Sequence, residues 1–401
     1  MPPDLLPRHV TLVLCTADGA VLGSLPPFVV PVPWWQEVSD VVGAARDLHD
    51  LDVTVLRLLR TYGPPPASGD VSYLAEVAAP PAMPLLPWTD ATTTHDHPLR
   101  QSWARPGGPS TDLQWADSVL SQRGTPRNGP AVQMRTWNLS SLWRLPTTSG
   151  MAWLKVVPPF FAHEGRMLAT LDPAVLPPLI AHDGPRVLLE EVSGEDQYDA
   201  PLPLLLRMVD LLVHLQVEWA GRTDELRMLG AADWRPASLG ALVARTVERC
   251  AADLDLSVAR RLESLVSALP QRFADIAACG VPETLVHGDF HPGNVIGDGD
   301  RLVLIDWGDS GVGHPLLDHA AFVERLDPTD RARVDEHWSA RWRDAVPGCD
   351  PDRARDLLAP VAALQLAAVY QMFLDNIEPS ERVYHAADPA DWLARTAALL
   401  G

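Results

Sequence analysis

The sequence predicts an α+β protein in three parts: a small α/β domain, a β-rich lobe and a mainly helical lobe. Strand and helix patterns alternate over residues 9–78, strand patterns return over 132–192, and helical patterns dominate after Pro201. Hydrophobic residues make up 47% of the 401 residues, which is enough for a sizeable packed core and argues against wholesale disorder. We predict three domains, at residues 1–125 (including a Pro-rich connection), 126–192 and 193–401.

The first domain begins with two strand patterns around a tight turn. The segments HVTLVLC and AVLGSL flank Ala17-Asp18-Gly19, and an Asp-Gly pair is typical of a hairpin turn. Apolar residues at helical spacing predict a helix over Trp34–His49, and the patterns at Val53–Leu59 and Val71–Val77 predict two further strands. These elements form a compact α/β domain.

The second and third domains follow a loop-rich connection from Pro80 to about Pro130, in which one short helix is predicted at Asp112–Leu120. From Val132, strands flank the turn that contains Ser140 and Ser141, and the last of them carries Lys155. A short helix carries Glu164. A strand over Arg186–Val192 then ends at Ser193-Gly194, and helices dominate the rest of the chain.

No segment of the sequence predicts a membrane protein or a secreted one. The N-terminus lacks a basic segment followed by an apolar core, so no signal peptide is expected. The longest apolar stretch, Leu357–Leu374, contains Pro360 and two glutamines and predicts a buried helix, since a membrane span needs about 20 largely apolar residues. Four distant cysteines without metal-ligand spacing fit a reducing compartment. We expect a soluble, cytoplasmic protein.

The charge balance excludes one class of partner and favours another. With 32 Lys and Arg against 52 Asp and Glu, the formal net charge is −20. A protein that binds nucleic acid by neutralising phosphates needs the opposite balance. A cationic small molecule, in contrast, would be attracted to such a surface.

A single lysine, Lys155, stands among many arginines. A lysine-poor, arginine-rich chain reflects base composition, so the absence of other lysines carries little information. The one lysine that remains is more informative, because a compact ammonium on a flexible stem cannot be replaced by a planar guanidinium. A site that binds phosphate by a point charge has this requirement.

The segment LVHGDFHPGNVIGDGDRLVLIDWGDSGVGHPLLD, residues 285–318, carries the clearest chemical pattern. Asp289 is followed five residues later by Asn294, and a turn and an apolar strand then lead to Asp306. Phosphoryl transfer needs a carboxylate that orients the acceptor hydroxyl, and an amide oxygen and a second carboxylate that hold Mg²⁺ against nucleotide phosphates. The spacing of five and the following Asp-x-Gly match the layout of protein kinases.

HGDFHPGN followed by IDWGD resembles the aminoglycoside phosphotransferase family, which is related to choline kinases and more distantly to protein kinases. The resemblance extends from about residue 130 to the C-terminus. It implies a bilobal protein-kinase-like fold, with a small β-rich N-lobe and a mainly helical C-lobe. It further implies that Asp289 is the catalytic base, that Asn294 and Asp306 bind Mg²⁺, and that His287 braces the catalytic loop without transferring a proton.

The same resemblance assigns nucleotide-binding residues in the N-lobe. Lys155 stands where the family keeps its nucleotide-phosphate lysine, and Glu164 would pair with it. The turn before Lys155 contains Ser140 and Ser141 in place of the Gly-rich loop of protein kinases, and we expect these serines to contact the phosphates; Thr147–Gly150 is a second candidate turn. The connector that binds the base through its backbone is predicted at Glu190 and Val192.

The order hairpin, helix, strand, strand in residues 9–78 resembles a Nudix fold. Nudix hydrolysis needs paired glutamates on one helix in the order R-E-x-x-E-E, whereas residues 46–51 read Arg-Asp-Leu-His-Asp-Leu. A degenerate, non-catalytic domain is the interpretation that fits, and its role is stability, dimerisation or covering of a substrate cleft.

Together these patterns predict a small-molecule kinase that uses ATP or GTP and Mg²⁺ to phosphorylate a hydroxyl of a small cationic substrate. The candidate substrates are an aminoglycoside-like antibiotic, an amino sugar or an amino alcohol. The alternative is a catalytically silent kinase-like binding or regulatory protein. A protein kinase is disfavoured, because the short segment between Asp306 and Asp318 leaves no room for a long activation loop. Residues 370–378 with Tyr384 and His385 offer acids and aromatics to a substrate, or else form helix surface and core.

Overall fold

The computed structural model describes residues 6–63, 65–298 and 301–400, and the chain divides into two compact units. Each unit consists of three separate segments of the chain, so the units do not test the predicted domain boundaries, which stay predictions. The units contain the following segments: Met1–Ala162, Leu179–Glu191 and Leu374–Ala386 in the first; His163–Pro178, Val192–Phe373 and Ala387–Gly401 in the second.

The first unit begins with a mixed sheet in the order β2-β1-β5-β4, with β3 also paired to β1. Strands β1 and β5 are parallel and the other pairs are antiparallel. The predicted Asp18-Gly19 hairpin is confirmed by the pairing of β1 with β2. The elements are β1 (Arg8–Cys15), β2 (Val21–Ser24), β3 (Phe28–Val30), α1 (Ser39–His49), β4 (Thr54–Tyr62) and β5 (Gly69–Glu76).

The helix predicted from Trp34 begins only at Ser39, so this start was wrong. The preceding residues are used in backbone pairing instead: Thr136 donates its N–H to the carbonyl of Gln36, and Val38 donates to the carbonyl of Met134. The Trp35 indole is fully buried and donates to the Ser68 carbonyl at 2.8 Å. Tertiary pairing therefore outweighs the helical spacing of the apolar residues.

A second sheet of the first unit is antiparallel, in the order β6-β7-β8-β10-β9. Helix α2 packs on one face of this sheet, where Leu120 of the helix lies in one core cluster with Leu154 and Val156 of β8. Side chains alternate across a strand, so Lys155 lies on the opposite face. The elements are α2 (Gly108–Gln122), β6 (Val132–Trp137), β7 (Ser140–Thr147), β8 (Gly150–Val156), β9 (Leu179–Asp183) and β10 (Arg186–Glu190).

The second unit is mainly helical, with two three-stranded sheets in the orders β11-β14-β15 and β12-β16-β13. Local sequence fixes many helix starts; in α9, Pro328 occupies the first turn and the Asp327 carboxylate accepts from the backbone N–H groups of Thr329 and Asp330. The strands are β11 (Glu195–Asp196), β12 (Ala232–Asp233), β13 (Thr284–Val286), β14 (Val295–Gly297), β15 (Leu302–Leu304) and β16 (Gly311–Gly313). The helices are α3 (Glu164–Leu168), α4 (Leu202–Glu218), α5 (Thr223–Leu229), α6 (Pro236–Cys250), α7 (Leu256–Ala277), α8 (His319–Val323), α9 (Pro328–Ala345), α10 (Pro351–Asn376) and α11 (Asp388–Ala398).

Helix α10 contains the apolar stretch predicted as a buried helix. By length and composition it is the one helix in the described part of the chain that is able to cross a bilayer, and 61% of its most apolar window is buried inside the folded protein. A core helix of this length passes the same test. The strands and helices together confirm the predicted α+β fold class.

Candidate active site

The segment after β13 forms a loop whose backbone is held by a buried carboxylate. Asp318 accepts the N–H of Gly288 on Oδ1 at 2.8 Å, and the N–H of His287 on Oδ2 at 2.9 Å. Gln216 donates its side-chain amide to the same Oδ2 at 3.0 Å. Burial raises the pKa of Asp318 to about 7. Asp318 thus fixes the course of the chain immediately before Asp289.

Gly288 has a positive φ of 89°, and no other residue type fits there. A Cβ at this position would lie 2.2 Å from the carbonyl oxygen of Asp309. This close approach brings the loop against the segment that follows Asp306.

His287 joins the loop to the end of β15. Its Nε2 lies 3.0 Å from the Ile305 carbonyl oxygen, and its Nδ1 accepts the N–H of Asp289 at 3.4 Å. A carbonyl can only accept, so the proton is on Nε2. Burial lowers the pKa of this fully enclosed imidazole to about 4, which keeps it neutral. The ring braces the loop through both nitrogens.

Asn294 turns back onto Asp289. Its Nδ2 donates to the Asp289 carbonyl at 2.8 Å and to the carboxylate Oδ2 at 2.9 Å. These two hydrogen bonds from Nδ2 orient the carboxylate and leave the Asn294 Oδ1 directed away from Asp289. The Asp289 side chain is 47% exposed, so the carboxylate is accessible to a substrate.

A hairpin brings Asn294 beside the residue that precedes Asp306. Strands β14 and β15 pair Val295 with Leu304, and Ile305 donates its N–H to the Asn294 carbonyl at 2.9 Å. Asp306 follows in the left-handed region with φ 64°, a conformation that costs a non-glycine residue about 1 kcal/mol or more. Residues with such a backbone conformation occur at active sites as well as in turns.

The pair Asn294 and Asp306 fits Mg²⁺. Both offer hard oxygen donors, and the Nδ2 contacts of Asn294 assign its oxygen to the side away from Asp289. Two protein ligands suit an ion that keeps several positions for phosphate and water.

An aromatic side chain that the sequence analysis missed covers the loop. Tyr198 stacks on the His291 ring, with ring centroids 5.5 Å apart. His291 accepts the Gly293 N–H on Nδ1 at 3.0 Å, and its Nε2 lies 3.6 Å from Asp289 Oδ2. A Cβ on Gly293 would lie 2.3 Å from the Tyr198 ring. The signal in the sequence was the glycine at this place in HPGN, which admits the ring.

The N-lobe residues of the prediction are distributed over both units. Lys155 lies in β8 of the first unit, and Glu164 is buried at the start of α3 in the second unit. Their predicted pairing stays a prediction, as does the phosphate role of Lys155.

Ser140 and Ser141 follow a two-residue turn, since β6 and β7 pair Trp137 with Ser140. The Ser140 hydroxyl accepts the Trp137 indole N–H and the Ser141 hydroxyl that of Trp143, both at 3.0 Å. Ser141 is only 1% exposed. The turn itself consists of Asn138 and Leu139, and the predicted phosphate contacts of the two serines stay predictions.

The backbone pairing of the connector after β10 ends at Glu191, and its predicted role in base binding stays a prediction. Glu191 donates its N–H to the Met151 carbonyl at 3.1 Å. In an antiparallel pair of strands, hydrogen-bonded and non-hydrogen-bonded residues alternate, so the backbone N–H and C=O of the neighbouring Glu190 point away from β8. On that side, the last residue of β10 that pairs with β9 is Leu189. The Glu190 side chain pairs with Arg123 at 2.6 Å. Val192 begins the next segment of the second unit.

The residues considered for substrate binding, 370–378 with Tyr384 and His385, are divided between the two units. Glu378, Tyr384 and His385 belong to the first unit, where they are at most 7% exposed and pack against its other elements. For these three residues the core interpretation is the correct one. Tyr370 stays in the second unit.

A sequence model described as the phosphotransferase enzyme family matches residues 141–357. This range contains the loop with Asp289, the β14–β15 hairpin and Lys155. No curated protein matches the chain in sequence.

Solved structures give the same fold. A macrolide 2'-phosphotransferase, MphH from Brachybacterium faecium, is 17% identical with a TM-score of 0.51, and the match covers 69% of this chain and 97% of that one. A choline/ethanolamine kinase family protein from Mesorhizobium loti is 16% identical with a TM-score of 0.51, covering 72% and 94%. Choline kinase LicA from Streptococcus pneumoniae is 14% identical with a TM-score of 0.52, covering 73% and 99%. These identities show the fold alone.

Proposed function

Because the chain belongs to the phosphotransferase enzyme family, we propose that it is a small-molecule kinase that transfers the γ-phosphate of ATP or GTP to a hydroxyl of a small cationic substrate. The observation that carries the proposal is the pair of hydrogen bonds that Asn294 Nδ2 donates to the Asp289 carbonyl and carboxylate, in a loop fixed by Asp318. This arrangement presents one oriented, accessible carboxylate beside an amide oxygen and a second acid.

Asp289 acts as the base in this proposal. Asn294 holds Oδ2, so Oδ1 is the oxygen that meets the acceptor hydroxyl. The hydroxyl proton goes to the carboxylate while the acceptor oxygen forms a bond to the γ-phosphorus, and the bond to the bridging oxygen of the nucleotide breaks. The nucleoside diphosphate leaves with the electron pair of that bond.

Asn294 and Asp306 would hold Mg²⁺, which when bound neutralises the charge on the nucleotide phosphates. Lys155 would bind the phosphates as a point charge and Glu164 would aim it. Ser140 and Ser141 would border the phosphates, and the backbone at Glu190 and Val192 would bind the base. His287 holds the loop and stays neutral throughout.

A cationic substrate is supported by the charges near the candidate base. Burial and the negative charges of Asp388, Asp289, Asp309 and Glu324 raise the pKa of the Tyr370 phenol well above its ordinary value. The acids that surround Tyr370 thus include the candidate base itself. An amine on the substrate would be attracted to this region, as the net charge of −20 also favours.

The first domain is proposed to be a degenerate Nudix-like domain without hydrolytic activity. Helix α1 ends at His49 and Asp50 has left-handed backbone, so Asp47 and Asp50 do not lie on one helix as a metal-binding pair would. We also propose a cytoplasmic location.

The test measures production of ADP or GDP with a panel of aminoglycosides, amino sugars and amino alcohols. At least one acceptor should stimulate turnover, and Asp289→Ala should lower kcat by about 10²- to 10⁴-fold, the usual contribution of a positioned base. The change should leave folding intact, since the side chain is half exposed. Asp47→Ala, at an exposed position of α1, is the matched control.

Two results would contradict the proposal. A folded Asp289→Ala protein with wild-type kcat would exclude Asp289 as the base. Nucleotide binding without turnover on any acceptor would favour the silent binding protein.

A further inference from the structure

A segment from near the C-terminus, Leu374–Ala386, packs into the first unit, although the helices before and after it continue in the second unit. We call this segment the strap. Its residues Glu378, Glu381, Tyr384 and His385 are each less than 10% exposed. Nothing in the family pattern discussed above assigns it a role.

The strap is anchored to the first unit by buried polar contacts. Arg100 donates to Glu378 Oε2 from Nε at 3.0 Å and from Nη2 at 2.8 Å. Leu58 of β4 donates its backbone N–H to Glu381 Oε1 at 3.0 Å. Tyr384 lies in the core of the first sheet, with its ring centroid 5.7 Å from that of Trp35. These contacts fix the strap independently of the turn considered next.

The strap holds the turn between β6 and β7 through Asn138. The Asn138 side chain is 97% removed from solvent, since the residue is 3% exposed. Its Nδ2 donates to the Glu381 carbonyl at 3.2 Å, and its Oδ1 lies 3.2 Å from His385 Nε2. The amide oxygen can only accept, so His385 carries its proton on Nε2 and donates it.

This pattern differs from that of an ordinary turn. An asparagine in a turn usually hydrogen-bonds the backbone two residues on, which shapes the turn from within. Here both polar atoms of Asn138 are bound to the strap, so the position of the turn is set from outside it. Trp137, the residue before it, also contacts the strap, with its ring centroid 5.6 Å from that of Tyr384.

We infer that the strap positions the Asn138-Leu139 turn for the nucleotide phosphates, with His385 and Asn138 as positioning residues that need not touch the nucleotide themselves. The inference rests on the proposed function. Protein kinases cover the phosphates with a flexible Gly-rich loop that must be ordered on binding. Here a glycine-free turn is ordered when the protein folds, which lowers the entropic cost of binding.

The test is a comparison of two substitutions at one position. In His385→Asn the side-chain amide is too short to reach Asn138, whereas in His385→Gln the amide nitrogen reaches about the place of Nε2. His182→Ala, at an exposed position of β9, is the control for loss of an imidazole from the same unit. Each protein is titrated calorimetrically with MgATP, with MgGTP and with the free nucleosides adenosine and guanosine.

We expect His385→Asn to weaken binding of the triphosphate about 10-fold. This factor is in the range expected when a buried acceptor, here Asn138 Oδ1, loses its hydrogen bond. Binding of the nucleoside should change less than 2-fold, because the base does not meet this turn. His385→Gln and His182→Ala should bind like the wild type. A merely structural role would weaken nucleoside and nucleotide together.

Wild-type affinity in a folded His385→Asn protein, or equal loss for nucleoside and triphosphate, would overturn the inference while leaving the proposed function intact. A wild-type protein that binds neither MgATP nor MgGTP would overturn both. Should His385→Asn fail to fold, Asn138→Ala, which removes the same contact from the side of the turn, is titrated instead and should show the same selective loss for the triphosphate. Equal loss for nucleoside and triphosphate in that variant, or no loss, would contradict a turn that the strap holds in place.

Discussion

The only lysine of the chain, Lys155, lies on the face of β8 opposite the core that α2 covers. Arginine at this position keeps the charge, but its planar fork is longer and needs a different arrangement of acceptors. We predict that Lys155→Arg lowers kcat/KM for nucleotide by about 10- to 1000-fold, since a displacement of about 1 Å near a transferring group costs about 10²-fold. The melting temperature without nucleotide should hardly change, because the side chain is not in the core.

Because Lys155 is the only lysine in the sequence, chemical labelling of amines provides a control for this prediction. An amine-reactive nucleotide analogue should label one internal site besides the N-terminal amine, and excess nucleotide with Mg²⁺ should protect that site. The predicted phosphate role of Lys155 would be wrong if Lys155→Arg had wild-type catalysis, or if nucleotide did not protect Lys155 from labelling. The single lysine would then reflect base composition alone.

Glu381 is a buried acid whose titration should affect the stability of the first unit. Burial, and to a smaller extent the charge of Glu378, raises the pKa of Glu381 to about 8. A folded pKa above the unfolded value means that the stabilising contribution is present below about pH 4.5 and is lost as pH rises towards 8. In the wild type the free energy of unfolding should fall over this pH interval, and we predict that Glu381→Gln makes this fall smaller by on the order of 5 kcal/mol.

Urea unfolding between pH 5 and pH 9 tests the prediction, with Glu263→Gln at an exposed position of α7 as control. The control should follow the wild type at every pH. A Glu381→Gln protein with the same dependence on pH as the wild type would show that the carboxyl is ionised in the folded state throughout.

At the scale of elements, the β14–β15 hairpin is the part that should bind metal. It places Asn294 opposite Ile305 and so beside Asp306, but it supplies only two protein ligands. We predict that Mg²⁺ binds weakly to the nucleotide-free protein and tightly in the presence of nucleotide, because phosphate oxygens complete the coordination. Calorimetry with and without nucleotide measures this difference, and strong stoichiometric binding of Mg²⁺ alone would contradict the site.

Elements were predictable from the sequence where local chemistry decides them. The Asp18-Gly19 hairpin and the strand that carries Lys155 follow from turn residues and alternation. The start of α1 could not be predicted from the sequence, because Gln36 and Val38 pair with residues of β6 that lie far along the chain. The loop with Asp289 was recognisable as a motif, whereas Tyr198, which stacks on His291 from a distant segment, was not.

At the scale of the whole molecule, the first domain should contribute structure and no hydrolysis. Its candidate carboxylates Asp47 and Asp50 are both exposed, and only Asp47 lies on α1. We predict no hydrolysis of nucleoside diphosphate derivatives by the full chain. Phosphate release that disappears in an Asp47→Ala, Asp50→Ala double variant but persists in Asp289→Ala would contradict the degenerate interpretation.

The three predicted domains stay a prediction, and no pattern in the sequence indicated that the strap packs with the first unit. Contacts such as Arg100 with Glu378 and Asn138 with His385 join residues more than 240 positions apart. A segment that packs into the core and a segment that binds a substrate can have the same local pattern, because both contain acidic and aromatic residues. The sequence of residues 370–385 therefore does not distinguish between the two roles. The partners that decide between them lie in another part of the chain.

The late position of the strap has a consequence for synthesis on the ribosome. Most of the first unit emerges early, yet the partners of Asn138 and Arg100 appear only when residues 378–385 leave the exit tunnel. Until then the nascent chain lacks the hydrogen-bond partners that the strap supplies to Asn138 and Arg100, and each such bond contributes about 0.5–3 kcal/mol. Residues 8–162 should therefore become fully protease-resistant only after residues 378–385 have left the tunnel, and ribosome-bound chains stalled before residue 378 should stay open to cleavage within residues 8–162.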